Sequence, residues 1–246
     1  MGNWITNYGL RYFVYFLEVG LVLFMFYRGW WKRQQGVSLY LVALLGSDVL
    51  VRPYILHHYG VQSRQYAYAF YLSDFFLVLA AFLLVCSFFR RACIPEQRLW
   101  PHLRLLLGAV FILVAGITAN TLSQHYGSLF TWFVVEFEQN LYFTCLVLNT
   151  LLYLLMQQIA SRDEELELLV CGMGIQFAAP AAGWALVALT RGGNYAPALQ
   201  RFIMPLCTAG MLLTWFYAMG HLPKTADEQA APGKLPLLAQ AIAPKI

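Results

Sequence analysis

Charged residues are scarce in this chain. Only 11% of its 246 residues are Asp, Glu, Lys or Arg, whereas 60% are hydrophobic. A soluble domain carries about 25% charged residues, and a nucleic-acid-binding domain also needs a clustered basic face. The basic residues here form only short groups beside hydrophobic runs, as expected for contact with a lipid bilayer. The composition therefore predicts an all-α, polytopic membrane protein that does not bind nucleic acid.

Cysteine is equally sparse, and its positions do not favour disulfides. The chain has five cysteines, an odd number, and no C-x-x-C motif. Four of them fall inside hydrophobic runs and none falls in a predicted outer loop, so a disulfide framework is not indicated. Their expected role is packing between helices. The cysteines are Cys86, Cys93, Cys145, Cys171 and Cys207.

The motifs of common enzymes and cofactor-binding proteins are missing as well. The chain contains no P-loop, no G-x-G-x-x-G, no H-E-x-x-H, no nucleophile elbow and no Asp-rich metal motif. The pair His57-His58 is the nearest approach to a metal or haem site. Adjacent side chains point about 100° apart on a helix, however, so the two imidazoles do not readily share one metal. The sequence thus leans against an enzyme and predicts no cofactor.

What the chain does contain is a series of long hydrophobic runs. A transmembrane helix needs about 20 mostly apolar residues, and seven runs of this kind occur with short connections, which predicts one seven-helix bundle over residues 1–221. Residues 222–246 are rich in Pro and Ala and are expected to form a flexible tail. The predicted spans are about 9–27, 37–57, 66–89, 102–120, 129–157, 166–190 and 200–220.

Lys and Arg are distributed unevenly between the two ends of these spans. Basic residues accumulate on the cytoplasmic side of a membrane, so the side with more Lys and Arg is predicted to be cytoplasmic. This orientation puts the N-terminus outside and the C-terminus inside, in the plasma (inner) membrane. Eleven basic residues lie on that side, Arg28, Lys32, Arg33, Arg90, Arg91, Arg98, Arg104, Arg162, Lys224, Lys234 and Lys245; five lie on the other, Arg11, Arg52, Arg64, Arg191 and Arg201.

Rhodopsins and many receptors share the layout of seven spans with an outside N-terminus. A retinal Schiff base requires a lysine in the last span, and Arg201–His221 contains none. Retinal linkage is therefore excluded, and the shared layout is a fold-level analogy that carries no function.

Acidic residues inside the spans are the strongest functional signal. A carboxylate at mid-membrane costs about 2.5–3.5 kcal/mol, so five of them cost about 12–17 kcal/mol, comparable to the stability of a whole protein. These groups must face the bundle interior, pair with a cation or carry a proton. They are Glu18, Asp48, Asp74, Glu136 and Glu138.

Span two offers the one basic residue at similar depth. Arg52 follows Asp48 by four residues, which predicts an ion pair on one helix face. Pro53 comes next and removes one backbone hydrogen bond, so a kink is expected in the outer third of this span.

Span five carries two of the acids only two residues apart. Glu136 and Glu138 point about 200° apart on a helix, which argues against a paired catalytic dyad. Asn140 shares the face of Glu136, and Tyr142 shares that of Glu138. We expect Glu138 to face the bundle interior and Glu136 to contact a different helix.

Together these residues predict one polar cavity in the outer half of the bundle, rimmed by spans one, two, three and five. The leading hypothesis is a protein that binds or senses a small polar or cationic ligand. One alternative is a proton- or cation-coupled transporter. Another is a structural or accessory subunit whose polar groups only join helices, at about 0.6 kcal/mol per bond. The candidate residues are Glu18, Asp48, Arg52, Asp74, Glu136, Glu138, Asn140 and Tyr142.

Span six contains a stripe of small residues. Gly174, Ala178 and Ala182 recur every four residues, the pattern that permits close approach of two membrane helices. The approaching helix would belong to this bundle, to a second copy or to a partner membrane subunit.

Overall fold

The computed structural model describes residues 2–60, 63–94, 98–122, 129–158, 163–189 and 195–221, and it is helical throughout them apart from short turns. The predicted flexible tail, residues 222–246, lies outside the described residues. The helices are α1 (Gly2–Arg28), α2 (Gln35–Leu45), α3 (Arg52–Tyr59), α4 (Arg64–Ala92), α5 (Trp100–Leu122), α6 (Leu129–Gln158), α7 (Glu164–Leu189) and α8 (Tyr195–His221).

Seven helical stretches within the described ranges are long and apolar enough to cross a membrane. They follow the runs predicted from the sequence closely, and together with the composition they indicate a multi-pass membrane protein. The stretches are Gly9–Arg28, Gln35–Tyr59, Gln65–Ala92, Trp100–Asn120, Phe133–Gln158, Glu164–Gly183 and Phe202–Gly220.

The second of these stretches is not a regular α-helix. A π-helical segment, Gly46–Val51, separates α2 from α3, and the backbone N–H of Arg52 donates to the carbonyl of Ser47, five residues earlier. Pro53 follows immediately; it has no N–H, and its ring crowds the carbonyl four residues before it. The sequence predicted a kink at Pro53, and the structure instead has a π-helical segment that begins before the proline. Such segments are frequent at functional sites.

Six of the seven spans form a closed ring. Helix α1 packs against α2 and α8, α2 against α4, α4 against α6, α6 against α7, and α7 against α8. Helix α5 lies outside the ring, mainly against α6, where Phe111 contacts Phe82 of α4 and Phe137 of α6. The six ring spans therefore surround one axis, and α5 packs on the outside of the ring.

Helices α7 and α8 approach each other closely at Gly172. A Cβ atom at that position would lie 2.7 Å from Nε1 of Trp215. The fully buried Trp215 indole instead donates a hydrogen bond to the carbonyl of Leu169, at 3.0 Å. Glycine is required here because any side chain would displace the indole.

The predicted small-residue stripe of α7 does not form a single contact surface. A Cβ atom on Gly174 would lie 3.1 Å from Nδ2 of Asn149 in α6, whereas Ala178 and Ala182 are exposed. Of the three alternatives, a neighbouring helix of this bundle accounts for Gly174 only, and the close contacts to α8 come from a neighbouring face that includes Gly172. Association through Ala178 and Ala182 with a second copy or a partner subunit stays a prediction.

Candidate functional site

A cavity of 740 Å³ lies between the helices at one end of the ring, which we call the cavity end. All six ring spans line it, and α5 contributes no lining residue. The sequence predicted a rim formed by four spans; the structure adds α7 and α8. The polar side chains in its wall are Arg11, Tyr15, Asp48, Arg52, Tyr66, Tyr71, Asp74, Glu138, Tyr142, Gln176 and Thr208.

Arg52 is the centre of an ion-pair cluster in this wall. Its Nη1 lies 2.8 Å from Oδ1 of Asp48, and its Nη2 donates a hydrogen bond to Oδ1 of Asp74 on α4. The guanidinium carbon also lies 4.6 Å from the ring centre of Phe70. The predicted pair between Asp48 and Arg52 is thus confirmed, and Asp74 is a second partner that the sequence did not assign. These two carboxylates therefore neutralise the positive charge of Arg52, which contributes little to the binding of a ligand.

Glu138 is the carboxylate of the cavity that has no such partner. It makes no hydrogen bond or ion pair with any other residue that the structure describes, although Asp74 and Arg52 are close enough to interact with it electrostatically. When ionised, the cavity's acids Asp48, Asp74 and Glu138 outnumber its two guanidinium groups by one. Arg52 pairs with both Asp48 and Asp74, so Glu138 is the one of these three acids that has no ion-pair partner among the described residues.

Aromatic side chains cover much of the remaining wall. Tyr15, Tyr66, Phe70, Tyr71 and Tyr142 come from α1, α4 and α6. Aromatic ring faces attract cations, by about 0.5–2 kcal/mol depending on desolvation. The wall combines an acid with aromatic rings, which suits an organic cation better than an anion.

Glu18 lies outside the cavity lining. It is fully buried on α1, and within the described part of the chain neither of its carboxyl oxygens has a hydrogen-bond partner. Asp48 and Arg52 interact with it electrostatically. Glu18 thus lies near the ion-pair cluster but forms no hydrogen bond with it.

Glu136 and Asn140 do not line the cavity either. The Asn140 side chain donates to Oγ1 of Thr118 on α5, at 3.4 Å, and Glu136 lies one helical turn before it on the same face. Of the two acids of α6, Glu138 alone lines the cavity, which agrees with the 200° separation calculated from the sequence. Among the eight candidates, the cavity brings together Asp48, Arg52, Asp74, Glu138 and Tyr142.

Gln176 and Thr208 are lining residues that the sequence-based rim missed. Gln176 is 7% exposed, and its Oε1 has no hydrogen-bond partner among the described residues. The hydroxyl of Thr208 donates to the carbonyl of Met204, at 3.0 Å. The sequence does contain an indication of both residues. Each lies about one helical turn from a proline in mid-span, Gln176 from Pro180 on α7 and Thr208 from Pro205 on α8.

The two adjacent histidines lie at the exposed end of α3. The ring centres of His57 and His58 are 5.8 Å apart, and the ring of Tyr54 contacts that of His58 edge to face. Neither imidazole lines the cavity. The described ranges contain no group of three or more His, Cys, Asp or Glu side chains placed to hold a metal ion.

A second polar cluster joins three segments at the opposite end of the bundle. Arg91, near the end of α4, donates to both carboxylate oxygens of Asp163, at 2.8 and 2.9 Å, and to Oε1 of Glu165, at 2.9 Å. Arg33 and Gln34, between α1 and α2, donate to the same Glu165 carboxylate. We call these five residues the Arg91 clasp. The sequence analysis used Arg33 and Arg91 only to orient the chain in the membrane and did not predict these contacts.

Comparison with protein-family models, with curated proteins and with solved structures gives no match for this chain. Its function must therefore be argued from the cavity itself.

Proposed function

We propose that this protein binds a small organic cation, an amine, in the cavity of the ring, and acts as a binding or sensing protein. The observation that carries the proposal is Glu138, a carboxylate without an ion-pair partner among the described residues, in an aromatic-lined space. The uneven distribution of Lys and Arg in the sequence supports placing this end at the outer face of the plasma membrane.

Charge and size both support an amine. An ammonium group beside Glu138 would compensate the one excess negative charge, and the tyrosine rings would contact its alkyl part. A volume of 740 Å³ falls in the range of about 300–1,000 Å³ found for organic ligand sites. A bound amine would contact several ring helices at once and would favour the helix arrangement that fits it best.

The first test is thermal unfolding of the purified protein in lipid nanodiscs with a panel of primary, secondary and tertiary alkylamines. We expect a concentration-dependent rise in Tm, because a ligand at 100 times its Kd stabilises by about 2.7 kcal/mol. Glu138→Gln should weaken binding at least about tenfold, since it removes a charge-assisted contact worth about 1.5–3 kcal/mol.

Glu136→Gln is the matched control for this test. It makes the same substitution two residues away on α6, on a side chain that does not line the cavity, and should leave the ligand-induced Tm shift unchanged. A panel of amines that produces no shift in the unmodified protein would refute the proposal. Equal losses in both variants would indicate that the acids only support helix packing.

A second candidate function is proton- or cation-coupled transport, and Glu18 favours it. This acid is fully buried, and neither of its oxygens has a partner among the described residues, so it is costly to keep ionised. It lies near Asp48 and Arg52, where it could carry a proton. The packed layer beyond the cavity argues against an open path, because Tyr40 and Trp215 are fully buried there and contact each other edge to face.

Proteoliposomes with an imposed pH gradient separate the two functions. A coupled transporter should accumulate a labelled amine, and Glu18→Gln should lower that uptake at least tenfold while the amine-induced Tm shift remains. Amine binding without any flux across tight vesicles would eliminate transport and leave the binding function.

A further inference from the structure

The contacts between α7 and α8 establish which residues of the two helices lie at the same level. Trp215 donates to the carbonyl of Leu169, and a Cβ atom on Gly210 would lie 3.4 Å from the Ile175 side chain. Since the helices are antiparallel, this register places Gln176 opposite Thr208. Both line the cavity, so they form one polar patch at a single depth.

The contacts between α6 and α7 give the depth of Glu138 in the same way. Tyr142 and Phe177 are in ring contact, with centres 6.1 Å apart, and Asn149 donates to the carbonyl of Val170. The same antiparallel register places Glu138 level with Ala181. Five residues separate that level from Gln176, which corresponds to about 8 Å of helix rise.

Side-chain direction increases this spacing. Side chains on a helix lean towards its N-terminus. Because α6 and α7 run in opposite directions, Glu138 leans towards the cavity end and Gln176 leans away from it. One ammonium group cannot contact both, so the cavity has an acidic upper site and a separate lower site.

The lower site combines a primary amide, which donates and accepts, with a hydroxyl oxygen. Oε1 of Gln176 is buried and has no partner among the described residues, and an unsatisfied buried acceptor destabilises the site. The Thr208 hydroxyl gives its hydrogen to the Met204 carbonyl, which leaves its oxygen lone pairs available. The patch is therefore suited to a ligand hydroxyl, which can donate to the oxygens and accept from the amide N–H.

We propose that the ligand is an elongated amine with a second hydrogen-bond donor about 8–12 Å from its ammonium nitrogen. The ammonium binds at Glu138, and the distant hydroxyl, amide or amine N–H donates to Gln176 and Thr208. This inference rests on the proposed amine-binding function and specifies the ligand class of the same cavity. The volume of 740 Å³ accommodates such a chain.

The test uses two probe series of matched length, linear ω-amino alcohols and n-alkylamines, from three to ten carbons. Their affinities are measured by thermal shift and by isothermal titration on the full chain in nanodiscs. We expect the amino alcohols to bind most tightly at one intermediate length, about fivefold to tenfold tighter than the alkylamine of that length.

Gln176→Leu and Thr208→Val should each abolish this length optimum. Thr150→Val is the matched control, because Thr150 makes the same bond to the carbonyl four residues earlier but is exposed outside the cavity. If Gln176→Leu does not fold, the dependence of affinity on probe length in Thr208→Val tests the inference by itself.

Two results would overturn the inference and leave the proposed function standing. One is equal affinity of amino alcohols and alkylamines at every length. The other is a length optimum that survives in the folded lower-site variants. Absence of binding by every amine would overturn the proposed function as well.

Discussion

Replacing Arg91 by alanine is expected to lower the free energy of unfolding by about 1.5–3 kcal/mol, because it removes three charge-assisted hydrogen bonds and leaves Glu165 with Arg33 as its remaining ion-pair partner among the described residues. Arg91 makes two hydrogen bonds to Asp163 and one to Glu165, whose side chain is only 7% exposed. Asp163 also accepts the backbone N–H of Leu166, at 3.1 Å, and so caps the start of α7. Unfolding of the purified protein by SDS titration, and its Tm, measure the loss.

Arg90→Ala is the matched control for the Arg91 clasp. Arg90 is the preceding residue on α4, it is exposed, and its loss should change stability by no more than about 0.5 kcal/mol. Arg91→Lys should fall between the two, since a lysine keeps the charge but not the bidentate geometry. Equal effects of Arg90→Ala and Arg91→Ala would show that the clasp contributes no more than an exposed charge.

The features predicted from the sequence depend on local properties of one helix. Hydropathy located the spans, and an i, i+4 spacing predicted the pair between Asp48 and Arg52. The angle between side chains on one helix distinguished Glu138 from Glu136. Each of these arguments needs only the chain within a single span, where helical geometry fixes the relative directions.

The features that were missed depend on which helices are neighbours. Arg52 pairs with Asp74 because α3 lies beside α4, and Arg91 meets Glu165, 74 residues away, because α4 ends near the start of α7. Hydropathy is the same for any order of seven spans around a bundle. It could not show that α5 lies outside the ring or that Gln176 would line the cavity.

Helix α4 connects the two polar clusters. It carries Asp74 beside the cavity and Arg91 in the clasp, 17 residues apart, or about 25 Å along the helix. Under the proposed sensing function, a ligand that alters the Arg52 cluster would act on a rigid element whose other end is hydrogen-bonded to α7. The layer between the clusters is apolar and closely packed, and such a layer transmits displacement rather than absorbing it.

Arg52→Met should produce the second large effect, a loss of about 3–5 kcal/mol in the free energy of unfolding. The substitution keeps an apolar stem of similar length but removes the cation shared by Asp48 and Asp74, whose side chains are 20% and 14% exposed. Two partly buried carboxylates would then lie close together without a counter-charge. The loss is measured by the same SDS titration.

A compensated variant shows whether this loss arises from uncompensated charge. Adding Asp48→Asn and Asp74→Asn to Arg52→Met should restore at least half of the lost stability, because neutral amides need no counter-charge and replacing a whole buried ion cluster is often nearly neutral. Arg11→Met is the matched control: Arg11 also lines the cavity but is exposed and forms no ion pair with a described residue, so its loss should cost less than about 1 kcal/mol. If the triple variant is no more stable than Arg52→Met alone, packing around the arginine stem accounts for the loss, and the ion cluster contributes little to holding α3 against α4.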